Sequence, residues 1–286
     1  MDTVFQKIVI IGYGKIAGDI LTYVYAKQKS YGYQLEFVEY EVRALNIAEQ
    51  ICRKNDISFF RITEKEELVQ YLKNLVEKSL IISANNDFLF PPSVVRKSNI
   101  VIINFHNALL PNYPGRNAPS WVIYKGEKET GITWHFVSED IDGGNIIIQK
   151  RLSIIEDVKA YELAESLMRL AFEGFKEIFQ DILADIVVGE EQMLPKERKI
   201  YLSKEIPSGG KFELTESSEK IYRLLRSVDY GKNNIFPNLY TYYQGKKIEI
   251  LRYRKIDKNE VERVNSFLYL PLEGDNILKM KYREIV

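Results

Sequence analysis

Apolar and polar positions divide the first two-thirds of the chain into short alternating blocks. Residues 7–11 form a β-branched run, Gly12 and Gly14 follow, and Ile16, Ile20, Leu21, Val24 and Tyr25 then recur at helical spacing. Strand, glycine turn and helix in that order open an α/β sheet. Residues 34–42 alternate as a second strand, 44–54 read as an amphipathic helix, and 59–62 are a short apolar patch. Thr63 ahead of Glu64, Glu66 and Glu67 predicts a helix N-cap with acids in the first turn, and the helix is expected to run to about residue 78. A buried strand at 80–83, a short helix from 93, a strand at 99–105 and a helix at 118–125 come next. Strands at 131–137 and 145–152 precede a long helix at 158–183, whose apolar face carries Leu163, Leu167, Leu170, Ala171 and Phe175.

This alternation predicts a Rossmann-like, mostly parallel sheet with helices on both faces. Ligands of such sheets bind beyond the carboxyl ends of the strands. Two segments lie there: A-N-N-D-F-L-F-P-P after the strand at 80–83, and N-F-H-N at the end of the strand at 99–105. The pattern changes near residue 200. A helix at 217–227 is followed by tyrosine-bearing strands at 239–243 and 247–253, joined by a Q-G-K turn that suits a hairpin. The expected organisation is a domain over 1–200 and a small β-rich, OB-like domain over 201–286. No internal repeat or low-complexity segment interrupts it.

Composition narrows the partners. Lysine plus arginine equals aspartate plus glutamate, 40 against 40, in a chain of 286 residues. That balance makes nucleic acid an unlikely main partner, because phosphate binding draws on a basic surplus. In the C-terminal domain Lys246, Lys247, Arg252, Arg254 and Lys255 are offset by Glu249, Asp257, Glu260 and Glu262, which fits a solvated face. The lone cysteine, Cys52, excludes an intramolecular disulfide and is read as a core residue in a reducing compartment. No apolar run reaches the ~18 residues of a membrane span, and the opening residues lack the pattern of a signal peptide. A cytoplasmic protein without a metal site or membrane partner is expected. The strand at 239–243 offers a surface for a homodimer or, equally, a small core.

The candidate chemistry sits at one strand end. Asn104 and His106 are two apart, and strand side chains alternate, so both face the same side. A neutral histidine accepts a proton from an attacking nucleophile, an asparagine N–H stabilises an oxyanion, and Asp142 would orient the ring and balance its charge. No Ser, Cys or Lys is placed as a covalent nucleophile, which favours direct transfer. Spacing alone leaves the alternative open: a structural histidine, a turn asparagine and a simple Asp-Gly-Gly hairpin turn. The segment G-Y-G-K-I-A is near a dinucleotide fingerprint. Gly12 and Tyr13 either present backbone N–H groups to a substrate anion or form a tight turn, and no strand end singles out Glu36, Glu39 or Glu41 as a ribose ligand.

The run N-F-H-N-A-L-L-P-N-Y-P-G-R-N-A-P-S-W-V-I, followed by E-T-G-I-T-W-H-F-V-S-E-D-I-D-G-G-N-I-I, resembles the folate-dependent formyltransferases. The match is strong over about residues 80–152 and extends as a fold pattern over 1–200. The resemblance implies a catalytic Asn104, His106 and Asp142, with 10-formyltetrahydrofolate as the donor. It implies a pterin site along the backbone of Phe88, Leu89 and Phe90 and of Glu139, Asp140 and Ile141. His135, matching the family's T-x-H, is expected to support the triad. The chain departs from the common pattern at Asn107 and Pro114, and Asn107 is either part of the acceptor pocket or a surface turn.

The acceptor divides this family. R-N-A-P-S-W resembles the versions acting on nucleotide-linked amino sugars and the formylation domains of peptide synthetases. Arg116 is read as a phosphate partner or a surface charge, Trp121 as a platform for a sugar ring or as helix packing, and Asn117 lies between them. The expected function is N-formylation of a UDP- or dTDP-linked amino sugar for a cell-surface glycan. The alternatives are formylation of methionyl-tRNA or of a peptide or amino acid, and a non-catalytic folate- or nucleotide-binding protein.

Overall fold

The computed structural model describes residues 3–41, 47–233, 235–261 and 265–285. These divide into two units: residues 1–115, 130–152 and 166–200 form the first, and 116–129, 153–165 and 201–286 the second. Residues 116–129 and 153–165 therefore group with the segment after 200, each unit drawing on several stretches of chain.

The first unit is built on a seven-stranded sheet in the order β3-β2-β1-β4-β5-β6-β7. Its strands are β1 (Lys7–Gly12), β2 (Gln34–Tyr40), β3 (Ser58–Ile62), β4 (Ser79–Ala84), β5 (Ile100–His106), β6 (Glu129–Phe136) and β7 (Ile146–Ser153). The strands from β3 to β5 are parallel and β6 joins β5 antiparallel. The expected mostly parallel α/β sheet is thus present as a mixed one. In β1, Ile8 and Ile10 alternate with Val9 and Ile11, and all four are fully buried, so both faces of the central strand are covered.

Helix α1 (Gly14–Tyr31) buries Ile16, Ile20, Leu21 and Val24 and ends at Gly32, whose φ of 77° closes the cap onto the Gln28 carbonyl. Its Tyr23 meets Phe172, Phe175 and Phe179 edge-on, all on α6 (Ala160–Leu183), and Phe175 packs on Trp134 of β6. Helix α2 (Ile47–Asn55) packs beside α1. A second cluster joins Val9, Ile11 and Ile81 to Leu68 and Leu72 of α3 (Lys65–Lys73) and Val94 of α4 (Pro92–Val95).

Three details differ from the sequence expectation. The N-cap of α3 is Glu64, without a side-chain cap bond, while the Thr63 hydroxyl turns to the Glu64 carboxylate. The helix stops at Lys73, not near 78, because the Lys78 carbonyl must accept from Gln6 and Lys7 where the chain enters the sheet. The patch at 59–62 is the edge strand β3. Val42 and the start of the helix expected at 44–54 lie outside the described residues.

The second unit holds α5 (Ala118–Lys125), α7 (Ser218–Ser227) and a four-stranded antiparallel sheet in the order β10-β11-β9-β8. Its strands are β8 (Tyr240–Tyr243), β9 (Lys246–Asp257), β10 (Phe267–Pro271) and β11 (Asn276–Glu284). The hairpin joining β8 and β9 turns at Gln244 and Gly245, both left-handed at φ 49° and 76°, as the twist of a two-residue turn requires. Ser217 caps α7 by accepting the Lys220 N–H. Ile221, Leu224 and Leu225 of that helix share a core with Ile248, Ile250, Leu278 and Met280 of the sheet. Among the described residues, no helix is long and apolar enough to cross a membrane.

Candidate active site

The site grows from the register of β5 with its two neighbours. Asn104 lies opposite Ser83 on parallel β4 and opposite His135 on antiparallel β6. The Ser83 hydroxyl donates to Asn104 Oδ1 at 2.7 Å, and Asn104 Nδ2 stands 3.2 Å from His135 Nε2. His135 donates Nδ1–H to its neighbour's carbonyl, Phe136 O, at 2.8 Å, so its Nε2 carries the lone pair. The Asn104 amide is therefore fixed in one sense: oxygen to Ser83, nitrogen to His135, with one N–H left to act on something else. Burial pushes the His135 pKa down to about 4, against the opposing pull of the Asp142 carboxylate. His135 is thus neutral at pH 7, as acceptance from Asn104 requires.

Asp142 lies in the loop between β6 and β7, with a left-handed φ of 50°. A Cβ at Gly144 would fall 1.8 Å from the Phe136 carbonyl oxygen, so only glycine fits there. The Asp142 Oδ2 accepts the Gly115 N–H at 2.7 Å and lies 3.5 Å from His106 Nδ1, and Oδ1 lies 3.7 Å from His135 Nε2. Burial opposes its charge. His106, His135, the Gly115 N–H and Arg198 outweigh that cost and hold its carboxyl below the usual carboxylate range. His106, 5% exposed, donates Nε2–H to the Tyr113 carbonyl at 2.8 Å, which leaves Nδ1 on the Asp142 side. The structure thus brings Asn104, His106 and Asp142 into one polar cluster. It adds His135 as the link between Asn104 and Asp142, and Ser83, which sequence reasoning missed.

The other residues expected to bind ligands have local partners of their own. Phe88 is buried, stacks edge-on with Tyr40 and Phe90, and has its N–H and carbonyl met by the Asn86 side chain. Leu89 is 59% exposed. Glu139 accepts from Arg96 Nε and Nη2 at 2.5 and 2.6 Å, and the Asp140 carbonyl accepts from Ser138 and Gly143. Ile141 is exposed, and Asn107 follows β5 half-buried.

The Gly12 turn has a packing cause, since a Cβ there would lie 1.9 Å from the Ala84 carbonyl oxygen where β1 meets β4. Tyr13 exchanges hydrogen bonds with Asn85, N–H to backbone carbonyl and carbonyl to side-chain amide, both at 3.3 Å. Glu39, one candidate ribose ligand, is buried against Arg61 at 2.8 Å. Arg116, Asn117 and Trp121 belong to the second unit. Arg116 donates its backbone N–H to Tyr201 O at 2.8 Å, Asn117 reaches Ser203 O at 3.4 Å, and Trp121 is buried with its ring 4.5 Å from that of Tyr201.

A Rossmann-like sheet thus carries a polar cluster of Asn104, His106 and Asp142 at the carboxyl end of β5, with His106 buried and the other two half-buried. Residues 7–178 match the formyl transferase family, and the chain belongs to that family and is a formyltransferase. It is similar to the methionyl-tRNA formyltransferase of Clostridioides difficile (strain 630), with 26% identity over 224 residues that cover 74% of this chain and 68% of that one. It is also similar to the GDP-perosamine N-formyltransferase of Brucella melitensis biotype 1, with 29% identity over 168 residues, 57% of this chain and 61% of that one. Among solved structures, the fold resembles an N-formyltransferase from Helicobacter canadensis in complex with folinic acid and dTDP-3-aminofucose. That likeness has a TM-score of 0.72 at 18% identity and covers 96% of this chain and 99% of the other.

Proposed function

We propose that this formyltransferase moves the formyl group of 10-formyltetrahydrofolate to the primary amine of a nucleotide-linked amino sugar. The observation that carries the chemistry is the Asn104 amide, locked between Ser83 and His135 with one N–H unspent, beside His106 and a charged Asp142. The amine nitrogen attacks the formyl carbon and forms the new C–N bond. The lone pair of His106, left on Nδ1 while Nε2–H is engaged with Tyr113, takes the amine proton, and the nearby Asp142 carboxylate balances the charge gained. Asn104 and the protonated ring stabilise the tetrahedral oxyanion. Collapse breaks the bond from carbon to N10 of the folate, His106 returns the proton to that nitrogen, and the formamide and tetrahydrofolate leave. A folate donor is supported by the folinic acid in the Helicobacter canadensis protein of like fold. We assign the pterin to Phe88, Leu89, Phe90 and the Glu139–Ile141 stretch, chiefly through main-chain groups.

The nucleotide-sugar acceptor is supported by R-N-A-P-S-W, by the perosamine-directed Brucella relative and by the aminofucose in the Helicobacter structure. Within R-N-A-P-S-W we assign Arg116 and Asn117 to acceptor recognition, and we assign the catalytic work to residues 1–200, while Gly12 and Trp121 take the packing roles described above. The methionyl-tRNA reading has an observation of its own, the longer alignment with the Clostridioides difficile enzyme. Formyl transfer from 10-formyltetrahydrofolate to a panel of UDP-, GDP- and dTDP-linked amino sugars, with methionyl-tRNA alongside, separates the two. Turnover on at least one amino sugar is expected. Turnover on the charged tRNA alone overturns the acceptor assignment.

A further inference from the structure

We propose that Gln192 and Arg198 are positioning residues for formyl transfer, acting through the main chain of the loop that carries Asp142. The inference rests on the role assigned above to Asp142. That loop has little to hold it from within. Gly143 and Gly144 bring no side chains, Asp142 sits at a φ of 50°, and the bonds within the loop converge on Asp140 O, from Gly143 N–H at 3.0 Å and the Ser138 hydroxyl at 3.2 Å. Three more of its carbonyls, those of Ile141, Asp142 and Gly144, are met from a stretch some fifty residues further along. Gln192, 7% exposed, spends Nε2 on two of them, Asp142 O at 3.0 Å and Gly144 O at 2.6 Å. Arg198 spends one arm on Ile141 O at 2.7 Å and the other on Asp142 O at 2.9 Å. Two side chains thus fix the carbonyl of the αL residue, that of Ile141 before it and that of Gly144 two residues after it.

The stretch that brings them is itself anchored. Glu190 and Ile146 at the start of β7 exchange both backbone hydrogen bonds, at 2.7 and 2.8 Å, and a Cβ on Gly189 would lie 2.7 Å from that of Asn145. Asn145 in turn reaches Gly189 O. The strap is therefore docked alongside β7 before it turns over the loop. The carboxylate it controls is placed with little margin, 3.5 Å from His106 and 3.7 Å from His135. A small rotation of the Asp142 peptide groups would move that carboxylate off both rings, and misplacement of a catalytic group by ~1 Å is enough to cost about 10² in rate. Gln192 and Arg198 touch the peptide groups and not the carboxylate, so both hold it in place, and the Arg198 charge also favours its ionised form.

The test is a set of double-mutant cycles on the full chain, reading kcat, KM for both substrates and the thermal midpoint. Gln192→Glu keeps the shape of the side chain and removes its donor, and Arg198→Ala removes the fork. Each is expected to lower kcat at least about 10-fold with KM held within about 3-fold. In an Asp142→Asn background the same substitutions are expected to cost less than about 2-fold, because the group they place is already lost. Added guanidinium is expected to restore part of the turnover of Arg198→Ala. Wild-type kcat in both single variants, or an equal fold loss in the two backgrounds, overturns the proposal. If Gln192→Glu does not fold, Arg198→Lys decides: it keeps the charge without the fork, and a kcat equal to wild type counts against positioning. Unchanged turnover in Asp142→Asn alone would instead remove the role of Asp142, and this inference with it.

Discussion

His135 makes a stability prediction that can be worked from the structure. Its ring is 2% exposed and neutral, with its pKa pushed down from 6.5 to about 4, chiefly by burial. The charges facing it are Asp142, which favours protonation, and His106 and Arg198, which oppose it. In the unfolded chain the ring titrates near its ordinary value. Between about pH 6.5 and about pH 4 the unfolded chain therefore binds a proton that the folded chain refuses, and stability must fall as pH falls through that window. The gap, at 1.36 kcal/mol per pH unit, comes to about 3 kcal/mol. The contribution is fully present above the unfolded value and is used up near the folded one. Urea unfolding at a series of pH values from ~7.5 to ~4 reads it directly. His135→Gln, which keeps an acceptor for the Asn104 amide but does not titrate, should flatten the slope by about 2 to 3 kcal/mol across the window. With two histidines in the chain, NMR titration of the ring protons gives an independent reading. Equal slopes in the two proteins, or a His135 pKa near 6.5, would refute the reasoning.

Other substitutions probe separate parts of the account. Gly12→Ala forces a Cβ to within 1.9 Å of the Ala84 carbonyl oxygen, a backbone atom that cannot step aside, and should cost about 2 kcal/mol or more in urea unfolding. Ser83→Ala leaves Asn104 free to rotate, and it should lower kcat about 10-fold with little change in KM, as steady-state kinetics would show. Cys52 is fully buried and its thiol is pushed up to about 12, so an aromatic disulfide reagent should label it only as the protein unfolds.

Much of the fold was legible because burial on both faces of a parallel sheet writes continuous apolar runs, as in K-I-V-I-I of β1 and L-I-I-S of β4. The pairing of Asn104 with His106 was legible from the period of a strand. What escaped depends on register and on long-range contact. Nothing near Ser83 in the sequence says that it will stand opposite Asn104, because the offset between parallel strands is set by the helices that connect them. The neutral state of His135 follows from its burial between β5 and the Asp142 loop, and no local pattern records that. Gln192 and Arg198 lie in a stretch without helical or strand periodicity, and their partners are main-chain carbonyls, which carry no residue type to match. The early end of α3 has a similar origin. The residues after Lys73 are fair helix formers, but Lys78 is needed by the sheet, and pairing across the sheet overrides propensity.

The central claim is that His106 moves the proton in a formyl transfer from folate to an amine. The most direct measurement is the turnover of His106→Asn with 10-formyltetrahydrofolate and an amino-sugar acceptor of the wild-type protein, together with the affinity of the variant for a non-transferable folate. The kcat is expected to fall by at least about 10² while folate affinity stays within a few-fold of wild type. Near-normal turnover in a folded His106→Asn protein would contradict it.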